Sequence, residues 1–325
     1  MTVTGPEALG CDDVLISVYV PFVVTAVLTA LAPRPARRLA PRPAAWALAL
    51  AALVTAGGWT GSLALLAFTG VAQIPQVAAE GHWSAAALRD DDPVYLGVAA
   101  TSALVLTAGL ISLGIAAVSQ TRHIVRARRE CARLPGDTEL AVLDDDTPLA
   151  FALPGRPGRI VVSRGMLKCL GDEERHALLM HERAHLRGKH HVFKTVWRLT
   201  SAVNPLLRPL ARTGAFVLER WADEDAAAQT GDRVIVARAV GRAALASAGT
   251  PRPAALAAAG GDVPQRVRAL LGPPPTRRRL PFAAGALLLI LCCTSLVNAA
   301  SDSDELVDNA QWHHAQHTTV SQIRE

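Results

Sequence analysis

Cysteine is sparse and unpatterned in this chain. The five thiols stand at positions 11, 131, 169, 292 and 293, and no two form a CxxC pair. That excludes a zinc ribbon and a thioredoxin-like redox motif, and the odd count argues against a disulfide framework. The thiols read as small buried or lipid-facing side chains. No phosphate-binding loop and no internal repeat is present. The formal net charge is +5, but the arginines cluster beside apolar runs rather than on one face of a folded domain. Direct nucleic-acid binding is therefore not expected, and the basic residues report membrane orientation instead. Methionine occurs only at 1, 166 and 180.

What the chain does have is long apolar runs. Half of its 325 residues are hydrophobic. They concentrate in four stretches, about 14–32, 44–70, 94–118 and 280–300, close to the roughly 20 residues that cross a bilayer. The second continues to Ile74 through Gly57 and Gly58. It is too long for one upright span and too short for two, so tilt or an interfacial end is expected. Pro21 should kink the first. Glu7, Asp12 and Asp13 precede that first run, so it lacks the basic start of a signal peptide and counts as a retained span.

Charge sets a sidedness. Arg34, Arg37, Arg38 and Arg42 follow the first run, while Glu80, Asp90, Asp91 and Asp92 outnumber Arg89 after the second. Arg122, Arg126, Arg128 and Arg129 follow the third, and Arg277, Arg278 and Arg279 precede the fourth. The positive-inside rule then gives one answer throughout: both termini outside and residues 119–279 in the cytoplasm. In that reducing compartment Cys131 and Cys169 should be free thiols. The expected organisation is three spans in 1–118, a cytoplasmic domain at 119–279, a fourth span at 280–300 and a short extracytoplasmic tail at 301–325. The expected protein is thus a multi-pass one of the cell membrane, with the lipid bilayer as one partner.

The cytoplasmic insert is the segment able to build a water-soluble core. Residues 139–143, 149–153 and 159–163 are short and β-rich, separated by Asp144-Asp145-Asp146 and by Pro154-Gly155-Arg156-Pro157-Gly158. They predict a small antiparallel sheet. Asp172, Glu173 and Glu174 suit the N-terminus of a helix running to at least Gly188. Asn204-Pro205 and Pro209 mark a break, a helix is predicted over 210–229 before Gly231, and another over 234–248. A Pro/Ala/Gly-rich linker follows at 250–264. The fold class is mostly α: four transmembrane helices with a cytoplasmic α+β domain.

His181-Glu182-Arg183-Ala184-His185 is an HExxH motif on a predicted helix. Residues four apart share a helix face, so both imidazoles can reach one Zn²⁺. Glu182 adjoins the first ligand and can take a proton from a water that zinc acidifies. Two residues compete as third ligand. Gly188 and His191 extend the motif to HExxHxxGxxH, the metzincin spacing, but that arrangement needs a Met-turn and no methionine follows His191. The cluster Arg187, Lys189, His190 and His191 is more simply a polar, basic helix end. Glu219 is preferred: it opens Glu219-Arg220-Trp221-Ala222-Asp223, an ExxAD one helix later. Asp223, one turn on, could fix the tautomer of a ligating histidine. Two His and one Glu leave a fourth position open, the catalytic arrangement.

HERAH followed by ExxAD, with Asn204-Pro205 between them, resembles the gluzincin-type integral-membrane peptidases. Val161-Val162-Ser163-Arg164-Gly165-Met166-Leu167 and Leu170-Gly171-Asp172-Glu173-Glu174 are similar to their approach to the active-site helix. The resemblance covers residues 118–300. Both the HtpX and prenyl-protease branch and the BlaR/MecR-type transducers share the motifs, and the insert's position and sidedness favour the second. It implies a zinc metalloendopeptidase acting on a cytoplasmic or juxtamembrane protein, such as a transcriptional repressor in a signalling pathway. An HtpX-like quality-control protease, and a non-catalytic membrane scaffold, are the alternatives. Substrate is expected to add as a strand to a free sheet edge, with residues 159–163 as candidate edge. BlaR/MecR transducers carry an extracellular penicillin-binding sensor. Here the 25 residues after 300 contain no SxxK. They read as a disordered polar tail, although His313, His314 and His317 could bind a metal.

Overall fold

The computed structural model describes residues 11–81, 96–134, 138–248, 262–275 and 280–323. The expected acidic loop residues 89–92, most of the linker at 250–264 and Arg277–Arg279 lie outside the described residues, as do the side chains of His313, His314 and His317. The N-terminal half holds α1 (Cys11–Leu31), a short α2 (Pro33–Ala36), α3 (Pro41–Ala72), α4 (Pro75–Gly81) and α5 (Leu96–Arg133). The chain closes with α12 (Leu280–Ile323). Among the described residues, three helices are long and apolar enough to cross a membrane: Pro41–Ala72, Leu96–Arg133 and Leu280–Ser301. Within α1 the apolar stretch is shorter, Ser17–Leu31. Pro21 lies inside α1 without ending it.

The overlong second run is one continuous helix, and Gly57-Gly58 does not interrupt it. At 1.5 Å per residue its 32 residues extend about 48 Å, well beyond about 30 Å of hydrocarbon. Ala44, Ala45, Leu48, Ala49 and Ala52 pack into one core with Phe193, Trp197, Leu210, Phe216, Val217, Leu218 and Trp221 of the insert. The first turns of α3 therefore pack against the insert rather than standing free in lipid. The tail differs from expectation too. The backbone stays helical to Ile323, because no glycine or proline follows Gly285 and polarity alone does not end a helix.

The insert's three strands are β1 (Leu140–Leu143), β2 (Ala150–Leu153) and β3 (Arg159–Ser163), ordered β1-β3-β2. The sheet is mixed rather than antiparallel. β2 pairs antiparallel with β3 across the tight proline-glycine turn, Ala150 opposite Val162, whereas β1 runs parallel to β3, Leu140 opposite Ile160. The connection 144–149 returns the chain one strand's width away, two spacings of about 4.8 Å, and β3 fills the gap. β3 is thus central and buried at all five positions. It is not the free edge expected from the sequence; the two edges are β1 and β2. The clue was available: Ile160-Val161-Val162 is a continuous apolar run, which marks a strand covered on both faces.

Ser163 ends β3 and caps the short α6 (Arg164–Lys168), accepting from Met166 N at 3.1 Å and from Leu149 N at 2.9 Å. Gly165 N donates to Asp145 O at 2.9 Å, and a Cβ on Gly165 would collide with the Asp146 backbone carbonyl. Because backbone cannot swing aside as a side chain can, Gly165→Ala is expected to destabilise the domain by about 1–3 kcal/mol, read as a lowered melting temperature in detergent.

The helical layer follows: α7 (Asp172–Arg187), α8 (His190–Val203), a 3₁₀ turn (Pro205–Leu207), α9 (Arg208–Thr230), α10 (Arg233–Ser247) and α11 (Val263–Leu271). Glu174 caps α7 by accepting from Gly171 N at 3.0 Å and pairs with Arg242 at 2.8 Å. Gly231, at φ 75°, stops α9 as predicted. Ala177 and Met180 of α7 meet Ala226 and Ala227 of α9, Val236, Ala237 and Ala239 of α10, and Leu270 of α11. These small residues let α7 and α9 approach closely, which is what brings the two sequence motifs together.

Candidate metal centre

His181 and His185 sit one turn apart on α7 and face Glu219 on α9. His181 Nε2 and His185 Nε2 are 3.1 Å apart. Glu219 Oε2 lies 3.6 Å from the first and 3.7 Å from the second. Ligands about 2.0–2.1 Å from a tetrahedral zinc stand about 3.3 Å from one another, so these three atoms fit one such ion. Among the described residues these three form the one group of His, Cys, Asp and Glu side chains whose donor atoms could share a metal ion.

Each histidine is held from behind. Asp223 Oδ1 lies 3.0 Å from His181 Nδ1. His190 Nδ1 lies 2.7 Å from His185 Nδ1. An Nδ1–H donated outward leaves each Nε2 lone pair turned toward the other ligands. His190 is buried and packs against Trp221, the tilted rings 4.7 Å apart between centroids. Burial, reinforced by the nearby His185, pushes its pKa down to about 3, so the ring is neutral and can accept.

Arg266 of α11 closes the cluster from a third side. Its Nε and Nη2 donate to Asp223 Oδ2 and Oδ1 at 2.8 and 2.7 Å, and its Nη1 lies 3.3 Å from Glu219 Oε2. Burial alone would raise the Asp223 carboxyl; Arg266 and His181 outweigh it and hold it down at about 2. For Glu219 burial again opposes ionisation, but the neighbouring His185, His181 and Arg266 hold it well below the carboxylate range. Burial pulls His181 down, yet Asp223 and Glu219 overcome that and push it up to about 9. Carboxylates that hold a proton on His181 so firmly equally favour a divalent cation among His181, His185 and Glu219.

The cluster opens into a cavity of about 390 Å³. Glu182, 8% exposed, forms part of its wall beside His181 and His185. Leu149, Ala150 and Phe151 line one side and Val236, Ala239 and Val240 of α10 the other. His191 lines this cavity but stays outside the ligand group. The helix breaks between Gly188 and Lys189, where Lys189 adopts φ 49°, so His191 no longer shares the face of His181 and His185. The same break turns His190 inward. Read from sequence, His190 looked like part of a solvated basic helix end; only this left-handed residue decides which of four polar neighbours points in. Arg266 was missed because nine residues of α11 are too short to show periodicity beside a proline-rich linker.

The His181-His185-Glu219 group could hold a metal ion at the mouth of a groove, on a chain with helices apolar enough to cross a membrane. Residues 118–243 match the model of Peptidase family M48, whose members are zinc metallopeptidases, and this match suggests a membrane-associated metallopeptidase. The matched segment holds both motifs but ends within α10, before Arg266. No curated protein and no solved structure gave a match.

Proposed function

We propose that this chain is a membrane-bound zinc endopeptidase that cleaves a protein substrate on the cytoplasmic side of the cell membrane. The convergence of His181, His185 and Glu219 to within 3.7 Å, with Glu182 on the same open wall, carries the reading. His181, His185 and Glu219 hold one Zn²⁺. When bound, zinc supplies Lewis acidity that acidifies a water and polarises the scissile carbonyl. Glu182 accepts a proton from the attacking water and passes it to the departing amide nitrogen. Asp223 and His190 orient the two ligand rings, and Arg266 orients Asp223 and Glu219. Substrate adds as a strand along β2, the edge that lines the groove, which presents the peptide plane to the metal side.

In this reading α1 is also a span, giving four, and both termini are extracytoplasmic. The sidedness rests on the arginines after the first and third runs and before the fourth. A repressor or another signalling protein is the favoured substrate, and broad quality control is the alternative. Substrate trapping with a Glu182→Gln chain separates them: one dominant captured protein supports signalling, many unrelated ones support quality control.

Metal removal tests the reading directly. The purified full chain should carry one zinc and hydrolyse an unfolded protein substrate. A chelator should abolish that hydrolysis and added zinc should restore it. Undiminished hydrolysis by zinc-free protein would overturn the proposal.

A further inference from the structure

The hairpin of α8 and α9 does not lie against the outside of the peptidase domain. It climbs between the membrane-type helices. Three contacts along α5 trace its course. Gln120 Nε2 donates to Thr195 Oγ1 at 2.9 Å, and Arg198 donates to Ser119 Oγ at 3.0 Å. Further up, a Cβ on Gly109 would stand 3.2 Å from the Val203 carbonyl oxygen. From Ser119 to Gly109 is ten residues, about 15 Å of helix. So α8 runs antiparallel to α5, from its basic end into its apolar stretch. No charged residue occurs in α5 from Leu96 to Thr121, and Gly109 sits 13 residues from both Leu96 and Arg122.

The other elements agree on the level. The hairpin's Phe193, Trp197, Leu210 and Phe216 pack on Ala44–Ala52 of α3, and Phe282, at the start of α12, joins the same core. The 3₁₀ turn at the apex also touches α1. The apex itself suits hydrocarbon. Between Arg198 and Arg208 the chain reads LTSAVNPLL, without a charge. Its backbone closes on itself: Asn204 N donates to Thr200 O at 2.9 Å, Leu207 N to Asn204 O at 3.0 Å, and Leu206 N to Asn204 Oδ1 at 3.1 Å. Internal closure is what a segment without water requires. Leu206 projects outward from the apex, 48% exposed. Arg208 and Arg212, exposed on α9 just past the turn, oppose burial, but their long stems let the guanidinium groups reach toward lipid phosphates.

We propose that the α8–α9 hairpin is a re-entrant membrane element whose apex, residues 203–207, is immersed in the acyl chains of the cytoplasmic leaflet. The proposal rests on the reading of α5 as a span. His190, where α8 begins, is five residues below Thr195, about 8 Å along the helix. His190 in turn touches His185. The metal cluster is thereby tethered at the bilayer surface, and the substrate class that fits is a polypeptide segment close to its own membrane anchor.

The test places single cysteines in the full chain, with the native cysteines replaced, and labels them with an environment-sensitive fluorophore in phosphatidylcholine vesicles. Leu206→Cys reports the apex, Ile111→Cys the neighbouring level of α5, and Ala228→Cys the far end of α9; all three positions are exposed. Circular dichroism melting of each labelled chain establishes that it is folded. The expected result is quenching of the Leu206 probe by spin-labelled lipid, with loss of quenching by aqueous iodide, matching Ile111 and opposite to Ala228. Iodide quenching at Leu206 with lipid quenching at Ile111 would overturn the hairpin proposal while leaving the spans intact. Iodide quenching at both would overturn the membrane reading of α5, and the hairpin with it.

Discussion

Glu182→Gln should lower kcat/KM for protein hydrolysis by about 10²–10⁴-fold, the range that a positioned general base contributes. The change is isosteric and replaces a carboxylate that can take a proton by an amide that cannot. Glu182 adjoins His181 in sequence but is not in the ligand group, so zinc content should stay at one per chain. Glu182 forms no ion pair within 4.0 Å among the described residues, so thermal stability should also be nearly unchanged. A thousandfold loss corresponds to about 4 kcal/mol of transition-state stabilisation. The measurement pairs kcat/KM on a purified substrate with metal analysis of the same preparation. Wild-type turnover by the variant would remove Glu182 from the chemistry; lost zinc would mean that it supports the ligands instead.

Arg266→Met should destabilise the zinc-free protein by about 3–5 kcal/mol, the usual consequence of stripping the partner from a buried charge. Two carboxylates depend on this guanidinium: Asp223 through two hydrogen bonds of 2.7 and 2.8 Å, and Glu219 at 3.3 Å. Methionine preserves much of the packing volume and supplies no charge. Zinc would partly restore the balance, since a divalent cation beside Glu219 neutralises the same site. The loss in melting temperature should therefore be larger without zinc than with it. Melting curves of both proteins, with and without zinc, measure that difference. An equal loss in the two states would mean that Arg266 acts only by packing. The matched family segment ends before this residue, so its part in the centre is visible in the fold alone.

Local chemistry was legible in the chain. HExxH declares its own helix face, and the acids at 172–174 and Gly231 declare where helices start and stop, because these signals act within one or two turns. ExxAD was legible as a partner for the same reason. The sheet was read less well. Strand existence follows from β-rich runs, but strand order depends on which neighbour fills a gap, and β3 took the central place that sequence had assigned to an edge. The second apolar run shows a similar limit. Hydropathy sees that Ala44–Ala52 is apolar; it cannot distinguish lipid from a protein core lined by Trp197 and Trp221.

By itself, then, the sequence determined the chemical identities: two histidines and a glutamate on one helix, an acid pair on another, and apolar runs flanked by arginine. Each depends on spacing within a single element. Tertiary structure brought Glu219, the acid preferred from its motif, within reach of His181 and His185, left His191 outside that group, and turned His190 inward behind His185. It also brought Arg266 back from beyond the linker to hold both acids. These depend on a left-handed residue at Lys189 and on the packing of α7, α9 and α11, contacts between residues far apart in the chain that no local pattern encodes.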